Sequence, residues 1–246
     1  MILAAFERWG TNALKKLNGI FALALYDEES GEIMLARDQV GVKPLYYSTG
    51  GGRLLFSSEL PALLHGVPRR LNPDVLAHYF RLLYVPQSMS LVEGVHALAA
   101  GGLLVYKNGS VRIESYAEEK PKGVLQTYED AVQAVHQGVS SAVERQLVSD
   151  RPVGLYLSGG IDSSIILAAA SKVHPAINTY SVGYHVAAEE EQKFNADMRL
   201  AKETAAHFGA THHEYRLSAS DALALMPKAM RVMHSPVGNA TALAQL

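Results

Sequence analysis

Residues 155–164 read LYLSGGIDSS, an apolar run followed by two glycines, an aspartate and paired serines. The segment VGLYL (153–157) has the length and continuity of a buried strand, and the residues from about Ser163 onward read as a helix. Between them lies a loop of Ser158, Gly159, Gly160, Ile161 and Asp162. Glycines let backbone N–H groups approach an anion closely, and a helix start adds unsatisfied donors and a partial positive charge. Phosphate suits such a loop. Hydroxyls on Ser158, Ser163 and Ser164 add further donors, whereas Asp162 would repel bare phosphate unless a divalent cation stood between them. The combination points to ATP with Mg2+, the metal falling to Asp162. Loops that transfer a terminal phosphoryl group carry a lysine in G-x-x-x-x-G-K-[ST], and this loop has none. A cradle of amides and hydroxyls instead suits pyrophosphate held as a leaving group, with AMP transferred. The alternative is a glycine turn before a helix, with no ligand.

Around this loop the pattern alternates. Apolar residues recur at Ala131, Val132, Val135, Val139, Ala142, Val143 and Leu147, the spacing of one helix face, with Thr127 as cap. Beyond the loop come a strand at NTYSVGY, a helix through Leu200, Ala201, Thr204, Ala205 and Phe208 ending at Gly209, and a strand at HHEYRL. Strands alternating with helices predict a parallel sheet with right-handed crossovers. A last short helix is expected to open at Pro227.

The first half has a different grammar. After an opening helix, ILAAFERWGTNALKKL, the runs GIFALALYD, EIMLARD, PLYYS and RLLFSS are separated by turn residues and predict an antiparallel meander. Helices are expected at Leu60 to His65 and Pro73 to Leu83, then a hairpin turning on Asn108-Gly109. The charged stretch EEKPKG (118–123) marks a boundary, giving domains of 1–117 and 118–246. The fold class is thus mixed α/β and α+β in two domains.

A net charge of -2 gives no footprint for nucleic acid. No apolar run approaches the roughly 20 residues needed to cross a bilayer. Neither nucleic acid nor membrane is expected as a partner, and the cytoplasm is the expected location. The chain contains no cysteine, which removes disulfides, thiolate metal sites and a cysteine nucleophile. His212, His213 and Glu214 suggest a metal site only superficially, because neighbours on a strand point to opposite faces.

SGGIDSS after an apolar strand resembles the pyrophosphate loop of the N-type ATP pyrophosphatases, and LVSDRPVGLYLSGGIDSS is similar to the glutamine-dependent asparagine synthetases. In the first half, LNGIFALALYD followed by LARDQVGVKPLYY resembles the class II glutamine amidotransferase domain. TYSVGY and ATHHEYRL match the next two strands of the synthetase core. The resemblance covers the whole chain.

The resemblance implies an incomplete antiparallel sandwich of the N-terminal-nucleophile hydrolase type, then a parallel-sheet adenine-nucleotide α-hydrolase-like domain. It implies ATP-dependent amidation of aspartate through a β-aspartyl-AMP intermediate, with ammonia from glutamine and a homodimer allowed in the intact family. Pyrophosphate and metal would fall to Ser158, Gly159, Gly160, Asp162, Ser163 and Ser164, and adenine to Val182 with Tyr156 or Leu157. Arg37 and Asp38, within the matched R-D-x-x-G-x-K-P-L-Y pattern, read as a turn-closing ion pair rather than as catalysts. The family's nucleophilic cysteine has no counterpart at Met1, and the acidic residue many relatives hold before Pro236 is replaced by His234-Ser235. The expectation is therefore of a chain cut at both ends and inactive alone. Two further readings stay open: amidation of another carboxylate, such as a peptide or β-lactam precursor, and a non-catalytic nucleotide-binding remnant.

Overall fold

A computed structural model describes residues 1–86, 88–117, 123, 126–233 and 236. The chain divides into two compact units, built on Met1–Pro121 and on Lys122–Lys228.

In the first unit, α1 (Ile2–Trp9) stops at Gly10, whose φ of 55 breaks the expected longer helix, and a 3-10 turn follows over Gly10–Lys16. Strands β1 (Ala22–Asp27), β2 (Glu32–Arg37), β3 (Tyr46–Gly50) and β4 (Arg53–Ser57) come next. They precede α2 (Leu60–Leu63), α3 (Pro73–Leu82), β5 (Val95–Ala97), β6 (Gly102–Lys107) and β7 (Ser110–Ser115). These strands do not form the expected single meander. They split into two antiparallel sheets, ordered β1-β2-β6-β7 and β4-β3-β5. The reason lies in β2 and β6, which bury both faces. Met34, Ala36, Leu103 and Val105 pack with Phe6, Ala13 and Leu14 of the opening helical segment. Leu35 and Leu104 turn the other way and join Leu45, Tyr47 and Leu98, on the side of the second sheet. The far face of that sheet carries Tyr46, Val95 and Ala97 against Leu60 and Leu63 of α2. The layering is therefore helix, sheet, sheet, helix. A strand apolar on both faces needs a layer on each side, so β2 pairs with the distant β6 rather than with β3. The hairpin of β6 and β7 turns on Asn108 and Gly109, both at positive φ (49 and 82), as a tight two-residue turn requires.

The second unit opens with α4 (Tyr128–Gln146), started by a reciprocal pair in which the Thr127 hydroxyl accepts from Asp130 N while the Asp130 carboxylate accepts from Thr127 N. Then follow β8 (Gly154–Tyr156), α5 (Ile161–Ala170), β9 (Asn178–Tyr184), α6 (Glu191–Phe194), α7 (Ala196–His207), β10 (Thr211–Leu217) and α8 (Ala219–Val232), whose residues from Ala229 group with the first unit. The three strands form a parallel sheet in the order β10-β9-β8. Leu157, Leu167, Ala170, Ala201 and Ala205 make the core that seats α5 and α7 on one sheet face. Tyr156, Tyr180 and Tyr215, respectively 75%, 42% and 57% exposed, mark the opposite face as open among the described residues. Only the C-terminal end of the α4 stripe is covered: Leu147 is buried, whereas Val132 and Val135 line an apolar groove of about 540 Å³ with Ile165 of α5. The final helix starts well before Pro227, because Ser218 and Asp221 cap it: Ser218 N donates to Asp221 Oδ2 (2.9 Å) and Asp221 N to Ser218 Oγ (3.1 Å). That start outweighs an interior proline, which removes one helical hydrogen bond. No helix among the described residues is long and apolar enough to cross a membrane.

Candidate functional site

The chain leaves β8 at Tyr156 and enters α5 at Ile161, two residues earlier than the sequence suggests. Gly160 is the reason. It stands at the helix cap with φ -73 and ψ 162, and its carbonyl accepts from Ser164 N (3.1 Å), Ser163 Oγ (3.1 Å) and Ser164 Oγ (2.8 Å). Asp162 accordingly stands on the first helical turn instead of in the loop.

No side chain caps α5. The N–H groups of Ile161, Asp162 and Ser163 precede the first intrahelical bond and have no acceptor four residues back. The Ser158 and Ser163 hydroxyls lie 3.1 Å apart beside them, and Gly160 N reaches Ser158 Oγ only at 3.4 Å. The Ser164 hydroxyl is engaged by its own helix. The Ser163 hydroxyl also donates to Gly160 O, at 3.1 Å, so of the three hydroxyls that of Ser158 is the better placed to meet an anion, with Ser163 Oγ beside it. Gly159, at φ 73, lies against α7: a Cβ there would come within 2.6 Å of Leu200 Cβ, 2.7 Å of Ala201 N and 2.9 Å of Asp197 O. Only glycine fits, so the turn is held tightly under the helix that follows β9.

An anion with several acceptor oxygens fits this cluster of outward donors at a helix start. A magnesium ion fits less completely. Asp162 supplies one exposed carboxylate, and among the described residues no group of three His, Asp or Glu could hold an ion unaided. The phosphate oxygens of a bound nucleotide would have to complete its shell, as is usual for this metal.

The residues expected at adenine separate. Tyr156 and Val182 lie on the open sheet face, since Tyr156 pairs with Tyr180 and Val182 is two residues further along the same strand. Leu157 does not join them. Its side chain is 2% exposed and sits in the core, so only its backbone faces the loop, with its N–H donating to Tyr180 O at 2.8 Å.

Arg37 and Asp38 close a turn, but not by pairing with each other. Arg37 donates from Nε to Lys43 O (2.6 Å), from Nη1 to Leu98 O (2.7 Å) and from Nη2 to Gly41 O (2.7 Å). Asp38 is fully buried and accepts from Val42 N (2.9 Å) and Lys43 N (3.0 Å). Burial alone would raise its pKa; the backbone donors of Lys43 and Val42 outweigh this and hold it below the usual carboxylate value. Tyr116 donates to Arg37 O at 2.6 Å, and its phenol is pushed up to about 12 by burial and then by the Asp38 charge. With their polar atoms committed to the main chain, these residues are built for structure.

His212 and His213 point to opposite faces. His212 lies between the Thr179 hydroxyl (2.9 Å) and the Ser181 hydroxyl (3.1 Å), its pKa lowered mainly by burial. His213 meets Asn178 Oδ1 at 2.9 Å and stacks on Tyr180. His234 and Ser235 lie outside the described residues.

Asn195 is a residue that loop reading alone overlooks. It is 4% exposed and ties the end of β9 to α6 and α7. The available signal was Gly183, a glycine inside a strand, which marks close approach by another group.

Comparison with known proteins places these features. Residues 1–117 match the family described as "Glutamine amidotransferase domain", and residues 134–246 match "Asparagine synthase". Asparagine synthetase [glutamine-hydrolyzing] 1 of Bacillus subtilis is 31% identical over 99% of this chain and 38% of its own length. A putative asparagine synthetase [glutamine-hydrolyzing] of Mycobacterium tuberculosis is 30% identical over 97% of this chain and 37% of its own. Asparagine synthetase B [glutamine-hydrolyzing] of Escherichia coli is 28% identical over 91% and 37% respectively. The chain thus spans well under half the length of these relatives.

Proposed function

Because this chain belongs to the asparagine synthetase family, with an amidotransferase part ahead of a synthetase part, we propose that it derives its function from ATP-dependent amidation of aspartate. The single observation that carries the reading is the uncapped start of α5, with the Ser158 and Ser163 hydroxyls beside it and Gly159 pressed under α7. Residues 1–117 form the amidotransferase part, and residues 118–246 the synthetase part. The helix–sheet–sheet–helix layering of the first unit supports an N-terminal-nucleophile hydrolase type for it.

In this reading the side-chain carboxylate of aspartate attacks the α-phosphorus of ATP, the bond to the β-phosphate oxygen breaks, and pyrophosphate leaves. Ile161, Asp162 and Ser163 N–H with the Ser158 and Ser163 hydroxyls hold the departing charge. One well-placed donor of this kind is worth about 3 kcal/mol in a transition state. Mg2+ bound between Asp162 and the phosphates would neutralise charge on the leaving group. Ammonia then attacks the acyl-adenylate, displacing AMP and losing a proton, to give asparagine. Tyr156 and Val182 offer the adenine a surface on the open sheet face. In the intact family that this chain resembles, the ammonia is drawn from glutamine.

The test is to mix the chain with Mg-ATP, ammonium and aspartate and follow pyrophosphate. Aspartate-dependent release supports the assignment, and release that needs a different carboxylate acceptor moves it to an amidotransferase of another acid. A second reading is a nucleotide-binding remnant without turnover. It predicts ATP binding by calorimetry with no pyrophosphate formed. A chain that binds no ATP defeats both.

A further inference from the structure

We propose that Asn195 is a positioning residue for the adenine half of the ATP site; the inference rests on the nucleotide reading above. Asn195 Oδ1 accepts from Tyr184 N at 2.7 Å, and Asn195 Nδ2 donates to Tyr184 O at 2.9 Å. The side-chain amide therefore extends the end of β9 as a neighbouring strand would, satisfying both backbone groups of one residue. Its remaining hydrogen goes to Glu191 Oε2 at 2.9 Å, and Glu191 in turn binds Arg216 of β10 at 2.9 Å. One buried amide thus fixes the end of β9, and through Glu191 it is tied to the neighbouring strand.

The approach depends on Gly183. A Cβ at that position would stand 2.6 Å from Asn195 Oδ1 and 2.7 Å from Met198 Sδ. Gly183 directly follows Val182, so whatever sets the path of the backbone at 183–184 sets where Val182 stands on the open face. The same helix serves the phosphate half by different atoms, since Asp197 O, Leu200 and Ala201 N confine Gly159. Consecutive turns of α6 and α7 thus gauge the two halves of one site: Asn195 and Met198 the adenine strand, and Asp197 to Ala201 the phosphate turn. The pKa of Glu191, held below the usual glutamate range by Arg216 first and Asn195 second, agrees with a carboxylate that stays charged in this latch.

The division makes a prediction that a merely structural asparagine would not. In the 246-residue chain, Asn195→Asp removes the donation to Tyr184 O and sets a second carboxylate beside Glu191, while Gly183→Ala pushes the amide away from β9. Each is expected to weaken Mg-ATP binding by about tenfold, with the affinity for Mg-pyrophosphate, which has no adenine, unchanged. Calorimetric titration of both ligands reads this, with thermal melting to show which variants are folded and amide hydrogen exchange at Tyr184 to show that the latch has opened. Parallel loss of both ligands in a folded variant, or no change in either, overturns the inference. Wild-type chain that binds pyrophosphate but gains nothing from adenosine overturns it too, leaving the phosphate turn intact. Wild-type chain that binds neither ligand removes the nucleotide reading, and this inference with it.

Discussion

Two turns in this molecule follow a strand, contain glycine and carry charged or hydroxylic residues, yet they have opposite physics. In the turn from Arg37 to Lys43 the polar side chains face inward: Asp38 is fully buried and holds Val42 N and Lys43 N, while Arg37 holds three carbonyls. In the turn from Ser158 to Ser164 the Ser158 side chain is exposed, those of Ser163 and Ser164 are half-buried, and the helix has no side-chain cap. The first turn has already satisfied its donors and acceptors, and the second keeps donors in reserve. A strongly polar motif can therefore be a finished piece of architecture or an open binding surface. What separates them is where the hydrogen-bonding capacity has been used.

The largest expected effect breaks the finished turn. Asp38→Ala leaves the Val42 and Lys43 N–H groups without their acceptor, and at about 1–3 kcal/mol for each such group the loss should be roughly 3 kcal/mol in urea unfolding. Pyrophosphate binding by the second unit should be unaffected in the molecules that remain folded. Next comes Gly159→Ala, which forces a side chain into both a positive φ and the α7 backbone. It should cost about 2 kcal/mol of stability and abolish pyrophosphate binding, seen as a lost calorimetric signal.

A pH series sharpens the same contrast. Asp38 has a folded pKa below its ordinary value, so its contribution is present above the unfolded value and is lost as pH falls through the folded one. Thermal melting should therefore show an acid-side loss of stability beginning below about pH 4, and Asp38→Asn should flatten that limb. The smallest effect compares two serines. Ser158→Ala should weaken pyrophosphate binding by about fivefold, the scale of a single hydrogen bond. Ser164→Ala, whose hydroxyl already serves Gly160 O, should change binding less than twofold, and titration of the two variants side by side decides it.

Local chemistry made much of this legible. The Asn108-Gly109 hairpin, the Thr127 cap of α4 and NTYSVGY as a strand all follow from interactions within a few residues, whereas the helix after the Ser158 loop was expected from Ser163 and starts at Ile161. Other features did not, for physical reasons. Whether β2 pairs with β3 or β6 is invisible in a run apolar at every position, since either partner buries it. Asn195 carries no periodic signal, because its partner is a backbone eleven residues away. Pro227 misled because a capping pair nine residues upstream dominated it.

The amino-acid order by itself determined much of the local alphabet: where most strands lie, which helices are capped and which turns demand glycine. Tertiary structure alone decided which polar residues remain free to bind. That choice depends on the distant carbonyls that engage Arg37, the α7 backbone that confines Gly159 and the core that takes in Leu157. Hydrogen-bonding capacity is spent across contacts far apart in sequence, so the remainder available to a ligand is known only once the chain has folded.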